Sequence, residues 1–196
     1  MGNCMNQKKN ILIFFGSPRI KGSTAKVVKQ LISLGQEHFD FKIINSYKSH
    51  IKPCCDCRYC KIHHKCKFRD FDYLNFLIKK SSSFILASPI YNFGFPAPLK
   101  LILDRLQPYF YAKKKYSKQD LKKNEKKALL ILTSGRKKES SGINAVYLQA
   151  KFSLKSINAK IIKTMCFDNT DEFSIDFSKK NGTDVLLKSA LISLLK

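Results

Sequence analysis

Residues 10–24 read NILIFFGSPRIKGST, and this stretch decides the fold. Its first six residues are almost entirely apolar and have the length of a strand that is buried on both faces. Small and polar residues follow, and a helical pattern begins at Ser23, with apolar positions at Val27, Val28 and Leu31. A buried strand followed by a tight loop and an amphipathic helix is typical of α/β proteins with a parallel sheet.

The rest of the chain repeats this alternation. The patterns predict strands over 10–15, 41–45, 84–87, 128–132 and 160–166, and helices over 23–38, 71–80, 96–107, 142–157 and 183–194. Asp70 is a candidate cap for the second helix, and the lysine-rich stretch 111–127 is predicted to be a surface excursion. Five strands alternating with helices predict one domain over 10–196, with a parallel sheet between two helical layers.

Composition limits the class of protein. The chain has 196 residues and a formal net charge of +23, from 37 basic and 14 acidic residues. Only five of the basic residues are arginine, and the lysines are scattered, so we predict no nucleic-acid partner. No apolar run approaches the roughly 20 residues that span a bilayer, and the N-terminus lacks the apolar stretch of a secretory signal. We therefore predict a cytoplasmic protein without a membrane partner.

The first nine residues read as a frayed tail. Gly2 raises N-myristoylation as a weaker alternative, because position 6 is Asn6 where the usual pattern has Ser or Thr.

The loop after the first strand has the features of a phosphate site. Backbone N–H groups at a helix start point outward without partners, and the helix dipole adds partial positive charge there. Ser17, Ser23 and Thr24 offer hydroxyl donors, and Arg19 offers a planar guanidinium. The loop has neither the Gly-Lys-Ser/Thr ending of a Walker loop nor the three-glycine dinucleotide spacing. An ordinary turn with a helix cap is the alternative.

Three motifs at strand ends resemble those of the NADPH-dependent FMN reductase family. They are Gly-Ser-Pro-Arg-x-x-Gly-Ser-Thr at 16–24, Ser-Pro-Ile-Tyr-Asn-Phe-Gly at 88–94 followed by Pro98-Leu99-Lys100 and Asp104-Arg105, and Thr133-Ser134-Gly135 after Lys126-Lys127. The resemblance covers about residues 10–166. It implies a flavodoxin-like three-layer sandwich with strand order 2-1-3-4-5 and bound FMN.

The resemblance also implies which residues hold the cofactor. The FMN phosphate would lie on Ser17, Arg19, Ser23 and Thr24. The ring and ribityl chain would be flanked by Pro89, Ile90, Tyr91, Asn92 and Phe93 on one side and by Thr133, Ser134 and Gly135 on the other. Aromatic side chains suit a planar ring, although Tyr91 and Phe93 would also fit simple core packing.

Five of the seven cysteines fall in a short cysteine segment, residues 54–66. The spacing C-x2-C-x2-C-x5-C runs through Cys54, Cys57, Cys60 and Cys66, with Cys55 as an extra thiol. Thiolates spaced this closely can converge on one cubane, and the spacing suits a cluster better than zinc. The segment resembles that of the iron-sulfur flavoproteins, which implies a [4Fe-4S] cluster on these four cysteines.

Three other states of the cysteines remain open: zinc held together with His63 or His64, free thiols, and a redox-active disulfide. We predict an FMN-dependent oxidoreductase that transfers electrons from NAD(P)H or a ferredoxin to flavin or small acceptors. No side chain is predicted to act as an acid or base. Alternatives are a simple flavin or quinone reductase and a zinc-stabilised binding module.

Two expectations concern partners. The resemblance implies a homodimer or higher homo-oligomer. The basic loop Tyr111–Lys127 is a candidate docking surface for an acidic ferredoxin or a cofactor phosphate, and an ordinary solvated loop is the alternative. Reversing the charges of Lys113, Lys114 and Lys115 is expected to slow reduction by ferredoxin.

Overall fold

Five strands form a single parallel sheet in the computed structural model, which describes residues 7–137, 140–172, 175 and 182–195. The strands are β1 (Lys9–Phe15), β2 (Phe39–Asn45), β3 (Ser83–Pro89), β4 (Lys126–Thr133) and β5 (Ala159–Phe167). Their order across the sheet is β2-β1-β3-β4-β5, and every neighbouring pair is parallel. Strand β2 is added on one side of β1 and strands β3 to β5 on the other, so the order of strand addition reverses at β1. Ligands of such folds bind beyond the carboxyl ends of the strands, at this switch point.

The helices cover both faces of this sheet. They are α1 (Ser23–Gly35), α2 (Tyr59–His63), α3 (Asp72–Lys80), α4 (Ala97–Asp104), α5 (Gln107–Ala112), α6 (Lys118–Lys123), α7 (Ser140–Ser156) and α8 (Gly182–Leu195). Helices α1 and α8 pack on the face that carries Ile11 and Ile13. Helices α3, α4 and α7 pack on the opposite face, which carries Leu12 and Phe14. Side chains alternate between the two faces of a strand, so a continuous apolar run in β1 fills both cores.

The predicted sandwich and its strand order are confirmed, and the element bounds shift by a few residues. Helix α1 ends at Gly35 rather than near residue 38, and the third predicted helix ends at Asp104, with a separate helix α5 beginning at Gln107. The excursion predicted over 111–127 contains a short 3-10 turn and helix α6, and β4 already begins at Lys126. Residues 1–6 of the predicted tail lie outside the described residues, whereas Lys9 belongs to β1.

Asp70 does not cap a helix, so that prediction is wrong. It lies in a 3-10 turn over Arg69–Phe71, and helix α3 begins after Phe71 without a side-chain cap. Its carboxylate accepts hydrogen bonds from the backbone N–H of Lys52 and from the guanidinium of Arg105. A strong charged donor thus takes the carboxylate that the local pattern assigned to the helix end.

Within the described ranges, no helix is both long and apolar enough to cross a membrane.

Candidate functional site

A cavity of about 590 Å³ lies at the carboxyl ends of β3, β4 and β5. The loops that leave these strands form its walls, as the strand order requires. Most of the residues predicted to contact a flavin line it: Arg19, Pro89, Ile90, Tyr91, Asn92, Phe93, Thr133, Ser134 and Gly135. Its volume is within the usual range for small-molecule sites, about 300–1,000 Å³.

The loop before α1 presents an open helix start beside this cavity. Gly22 is the N-cap, it has no side chain to accept from the first N–H groups, and the first turn holds no acidic residue. The exposed side chain of Arg19 folds back against the cap, because a Cβ on Gly22 would lie 3.4 Å from Arg19 Nε. A guanidinium and free N–H groups therefore meet at the positive end of one helix, which suits a phosphate.

The three hydroxyls predicted to bind the phosphate do not line the cavity, and two of them bond within the protein. Thr24 and Thr133 share a buried hydrogen bond of 2.7 Å between their hydroxyls, which ties the start of α1 to the end of β4. Ser17 is also buried, and its Oγ accepts from the Arg19 N–H at 3.3 Å. Ser17, Ser23 and Thr24 do not line the cavity, and Ser23 is half-buried. The hydroxyls of Ser17 and Thr24 therefore shape the loop, and Arg19 is the predicted phosphate contact of this loop that lines the cavity.

Gly16 sits where the loop passes closest to the core. A Cβ at this position would lie 2.5 Å from Leu99 Cδ2 and 2.8 Å from Ser88 Oγ, both on fully buried residues. The missing side chain lets the loop approach the end of β3, which fixes where the start of α1 points.

The loop after β3 makes a tight turn at the cavity. Tyr91 and Gly94 exchange backbone hydrogen bonds of 3.0 and 2.8 Å. Between them, Asn92 and Phe93 adopt left-handed backbone conformations, with φ of 48° and 57°. Bulky residues rarely adopt such conformations, which cluster at ligand-binding positions.

The aromatic rings of this turn stand at the rim of the cavity rather than in the core. Tyr91 is 42% exposed and Phe93 is 52% exposed. One side of the Phe93 ring packs so closely on Gly142 of α7 that a Cβ at Gly142 would collide with Phe93 Cδ1. Simple core packing is therefore excluded for both rings, which are available to a ligand in the cavity.

Sequence reasoning missed a further part of the lining. It consists of Arg136, Lys137, Gly142, Ile143, Cys166, Thr170 and Asp171. Asp171 follows β5, and its carboxylate lies so close to Gly135 that a Cβ there would overlap Oδ2. Because β5 is parallel to β4 and adjacent to it, the loop after β5 reaches the same edge of the sheet as the loop after β4. The predicted strand order could therefore have indicated that this loop lines the cavity.

A larger cavity of about 670 Å³ lies away from the carboxyl ends of the strands. Side chains of α3, α5 and α6 line it, including Asn75, Tyr109 and Leu121. Burial raises the pKa of Tyr109, and its hydroxyl donates to the side-chain oxygen of Asn75. We assign the functional site to the smaller cavity, because there the three predicted loops converge.

The four predicted cluster ligands of the cysteine segment share one small cavity. Cys54, Cys57, Cys60 and Cys66 all line a cavity of about 40 Å³, together with Arg105. On either side of Cys57, Asp56 and Arg58 adopt left-handed backbone conformations. Alternation of this kind turns successive N–H groups to one side and is found around phosphates and iron-sulfur clusters. In the described residues, however, no three metal-binding side chains are gathered closely enough to hold an ion.

The environment of the thiols differs along the segment. Cys54, Cys55 and Cys57 are exposed, whereas Cys60 and Cys66 are half-buried. Burial raises the pKa of the Cys60 thiol, and the neighbouring thiols of Cys54, Cys57 and Cys66 raise it further. The His63 ring stacks on Tyr59 with centroids 4.0 Å apart.

Family comparison agrees with this geometry. Residues 9–166 match the family model of NADPH-dependent FMN reductases. The fold and the site at the strand ends define a flavodoxin-like protein with a small-molecule cavity. The chain belongs to the NADPH-dependent FMN reductase family.

Individual relatives add detail. An iron-sulfur flavoprotein of Methanocaldococcus jannaschii is 33% identical over 95 residues, which is 47% of this chain and 49% of the relative. The match thus spans about half the length of that relative. An FMN-dependent NADH:quinone oxidoreductase of Pelagibacter ubique is 32% identical over 119 residues, 59% of this chain and 60% of the relative. The structure of a Methanothermobacter marburgensis NAD(P)H:quinone oxidoreductase superposes with a TM-score of 0.71 at 14% identity, covering 97% and 98% of the two chains.

Proposed function

We propose that this chain binds FMN in the cavity at the strand ends and acts as an FMN-dependent oxidoreductase. The observation that carries the proposal is the convergence of three loops on one cavity, with a cationic helix start beside an aromatic rim. Such a site offers complementary chemistry to both ends of a flavin mononucleotide, its phosphate and its ring.

Each part of the cavity has a role in this assignment. Arg19 and the free N–H groups at the start of α1 bind the phosphate, while Ser17 and Thr24 hold that loop in shape. Tyr91, Asn92 and Phe93 contact one side of the ring system. Pro89 and Ile90 adjoin them, and Thr133, Ser134 and Gly135 form the opposite wall. Bound FMN supplies hydride and electron transfer, and the protein supplies position and electrostatics.

A nicotinamide donor is the simplest partner for this site, because the family is NADPH-dependent. A ferredoxin is the alternative donor, and flavins or small acceptors such as quinones complete the reaction. We place the protein in the cytoplasm, where thiols stay reduced, and propose that it is a homodimer or higher homo-oligomer.

We further propose that Cys54, Cys57, Cys60 and Cys66 bind a [4Fe-4S] cluster, which would supply one-electron transfer. Three observations support the fit. The four thiols line one cavity, left-handed residues flank Cys57, and Arg105 Nε in that lining is buried without an acceptor among the described residues. The name of one relative, an iron-sulfur flavoprotein, also favours a cluster.

A simple flavin or quinone reductase with free thiols is the second candidate. It is favoured by the exposure of Cys54, Cys55 and Cys57 and by the quinone oxidoreductase among the relatives. The two candidates share the flavin site and differ only in the cysteine segment.

Anaerobic purification with flavin, iron and sulfide counted per chain tests both proposals. One FMN with four irons and four sulfides supports the cluster, and FMN without iron leaves the simple reductase. Colourless protein that retains zinc contradicts both candidates and supports a zinc-stabilised binding module.

Two serine variants sharpen the assignment of the cysteines. Cys57→Ser is expected to lose iron, whereas Cys55→Ser, a neighbouring exposed thiol outside the ligand set, should retain it. Equal iron in both variants would remove Cys57 from the ligand set.

A further inference from the structure

Arg105 connects the two ends of the cysteine segment from a position that is 2% exposed. It follows α4, far from the segment in sequence. Its Nη2 donates to Asp70 Oδ1 at 2.7 Å and its Nη1 to Asp70 Oδ2 at 3.2 Å. Nη1 also donates to the backbone carbonyl of Lys52. Lys52 precedes the first of the four cysteines, and Asp70 follows the last, so one guanidinium holds both ends.

The same ends are also joined directly. The backbone N–H of Lys52 donates to Asp70 Oδ2 at 2.7 Å. The rings of Phe68 and Phe71 lie 5.7 and 5.4 Å from the guanidinium carbon of Arg105. Aromatic faces attract a cation at such distances. These hydrogen bonds and ring contacts close the base of the cysteine segment around the buried Arg105 side chain. The cysteines themselves are half-buried or exposed.

A third contact reaches one of the cysteines. Arg105 Nη2 lies 3.3 Å from Cys66 Sγ and donates to it. The remaining guanidinium donor, Nε, is buried and finds no acceptor in the part of the chain that the structure describes. Arg105 lines the same small cavity as the four cysteines. Arg105 therefore presents two N–H donors beside the thiols: Nη2, which already donates to Cys66, and Nε, which has no acceptor among the described residues.

We propose that Arg105 is the positioning residue of the cysteine segment: it holds Cys66 in place for cluster assembly and raises the reduction potential of the assembled cluster. The inference rests on the proposed cluster. Reduction adds one negative charge to a cluster. Hydrogen bonds to its sulfurs and a fixed cation beside it stabilise that charge, which favours the reduced form.

The test begins with the apo-protein, where no cluster is needed. Limited chymotryptic digestion, which can cut at Tyr59 and Phe68 and is unaffected by changes at arginine, and hydrogen exchange followed by mass spectrometry report the opening of residues 52–70 relative to the sheet. In Arg105→Gln, nicking and exchange in this segment should rise about tenfold, while FMN binding stays unchanged because Arg105 does not line the flavin cavity. Arg69→Gln is the matched control, because it removes an arginine of the same segment whose side chain is 93% exposed.

Reconstituted protein then reports on the cluster. Arg105→Gln should reduce iron retention and shift the cluster equilibrium toward the oxidised form by about tenfold, about 59 mV for one electron. Arg105→Lys keeps the charge but cannot reach Lys52, Asp70 and Cys66 together. It should recover part of the potential while the segment remains open. A role in folding alone would leave the potential unchanged.

The outcomes separate this inference from the cluster proposal. Wild-type protein that takes up no iron contradicts the cluster and with it the effect on potential, and the digestion result still decides whether Arg105 closes the segment. Wild-type protein that carries a cluster, with unchanged digestion and potential in Arg105→Gln, overturns the role of Arg105. If that variant does not fold, Asp70→Asn replaces it, since it weakens the same clamp and leaves all the thiols intact.

Discussion

Gly16→Ala is expected to damage both stability and FMN binding. The added Cβ would lie 2.5 Å from Leu99 Cδ2 and 2.8 Å from Ser88 Oγ, whereas non-bonded carbons prefer about 3.5–4.0 Å. Both neighbours are fully buried, so neither can rotate into solvent. Overpacking of this kind costs about 1–3 kcal/mol. For a chain of this size, each kcal/mol lowers Tm by about 2–4 °C.

Movement of the loop transmits the same strain to the cofactor. Gly16 directly precedes Ser17 and lies a few residues before Arg19, so displacing it shifts the phosphate contacts. We expect the free energy of unfolding to fall by about 1–3 kcal/mol and the Kd for FMN to rise at least tenfold. Urea unfolding and quenching of flavin fluorescence measure the two effects.

The control for this variant is Gly182→Ala at the start of α8, where a Cβ meets nothing within 4 Å. Its Kd should match the wild type, and its stability should equal or slightly exceed that of the wild type, because alanine favours a helix over glycine. The reasoning is refuted if Gly16→Ala binds FMN with the wild-type Kd and unfolds at the wild-type midpoint.

Three other predictions follow from single contacts. Arg19→Ala should raise the Kd for FMN about 10- to 100-fold, since a charged hydrogen bond contributes about 1.5–3 kcal/mol; free phosphate should compete less in the variant, and an unchanged Kd contradicts the assignment. The hydrogen bond from Arg105 lowers the pKa of Asp70, so this carboxylate stabilises the fold above about pH 4 and the gain is lost as pH falls through the depressed pKa. As the pH is lowered from 6 to 2, the urea midpoint should therefore fall more steeply in wild type than in Asp70→Asn. The same pH dependence in both proteins would contradict a stabilising role of the Asp70 carboxylate. Charge reversal of Lys114 and Lys115 should slow reduction by an acidic ferredoxin, most strongly at low salt, and rates that do not vary across a salt series would exclude this docking surface.

The original docking prediction included Lys113, and the structure gives a reason to treat that residue separately. Its Nζ donates to the carbonyl of Lys155 at 2.6 Å, and burial lowers the pKa of its amine. The Lys114 amine lies 5.4 Å from the Tyr111 ring centroid. Changing Lys113 would therefore disturb a packed contact as well as the surface charge.

Much of the fold was predictable because its signals are local. The apolar run of β1 and the periodic apolar positions of α1 describe how each segment is buried, and five such alternations permit few topologies. The flavin loops were predictable for a related reason, because they directly follow strands whose carboxyl ends share one edge. The loop after β5 obeys the same rule but carries no recognisable motif, and its Asp171 was missed.

The wrong prediction at Asp70 comes from a partner that is distant in sequence. Asp70 has the local pattern of a helix cap, but Arg105, which follows α4, takes its carboxylate. Thr24 stays a predicted phosphate donor, and its hydroxyl also meets Thr133 from the end of β4, a contact that no local pattern indicates. A nearby pattern names a possible partner, whereas the fold decides which charged group comes within bonding distance.

The sequence by itself determined the parallel sandwich, the order of the three flavin motifs and the spacing of the four cysteines, because each depends on residues close together in the chain. Only the tertiary structure decided that Arg19 faces the cavity while Thr24 does not, that Tyr91 and Phe93 stand at its rim, and that Arg105 closes the cysteine segment. These depend on which side chains packing brings within hydrogen-bond distance, and no local pattern contains that information.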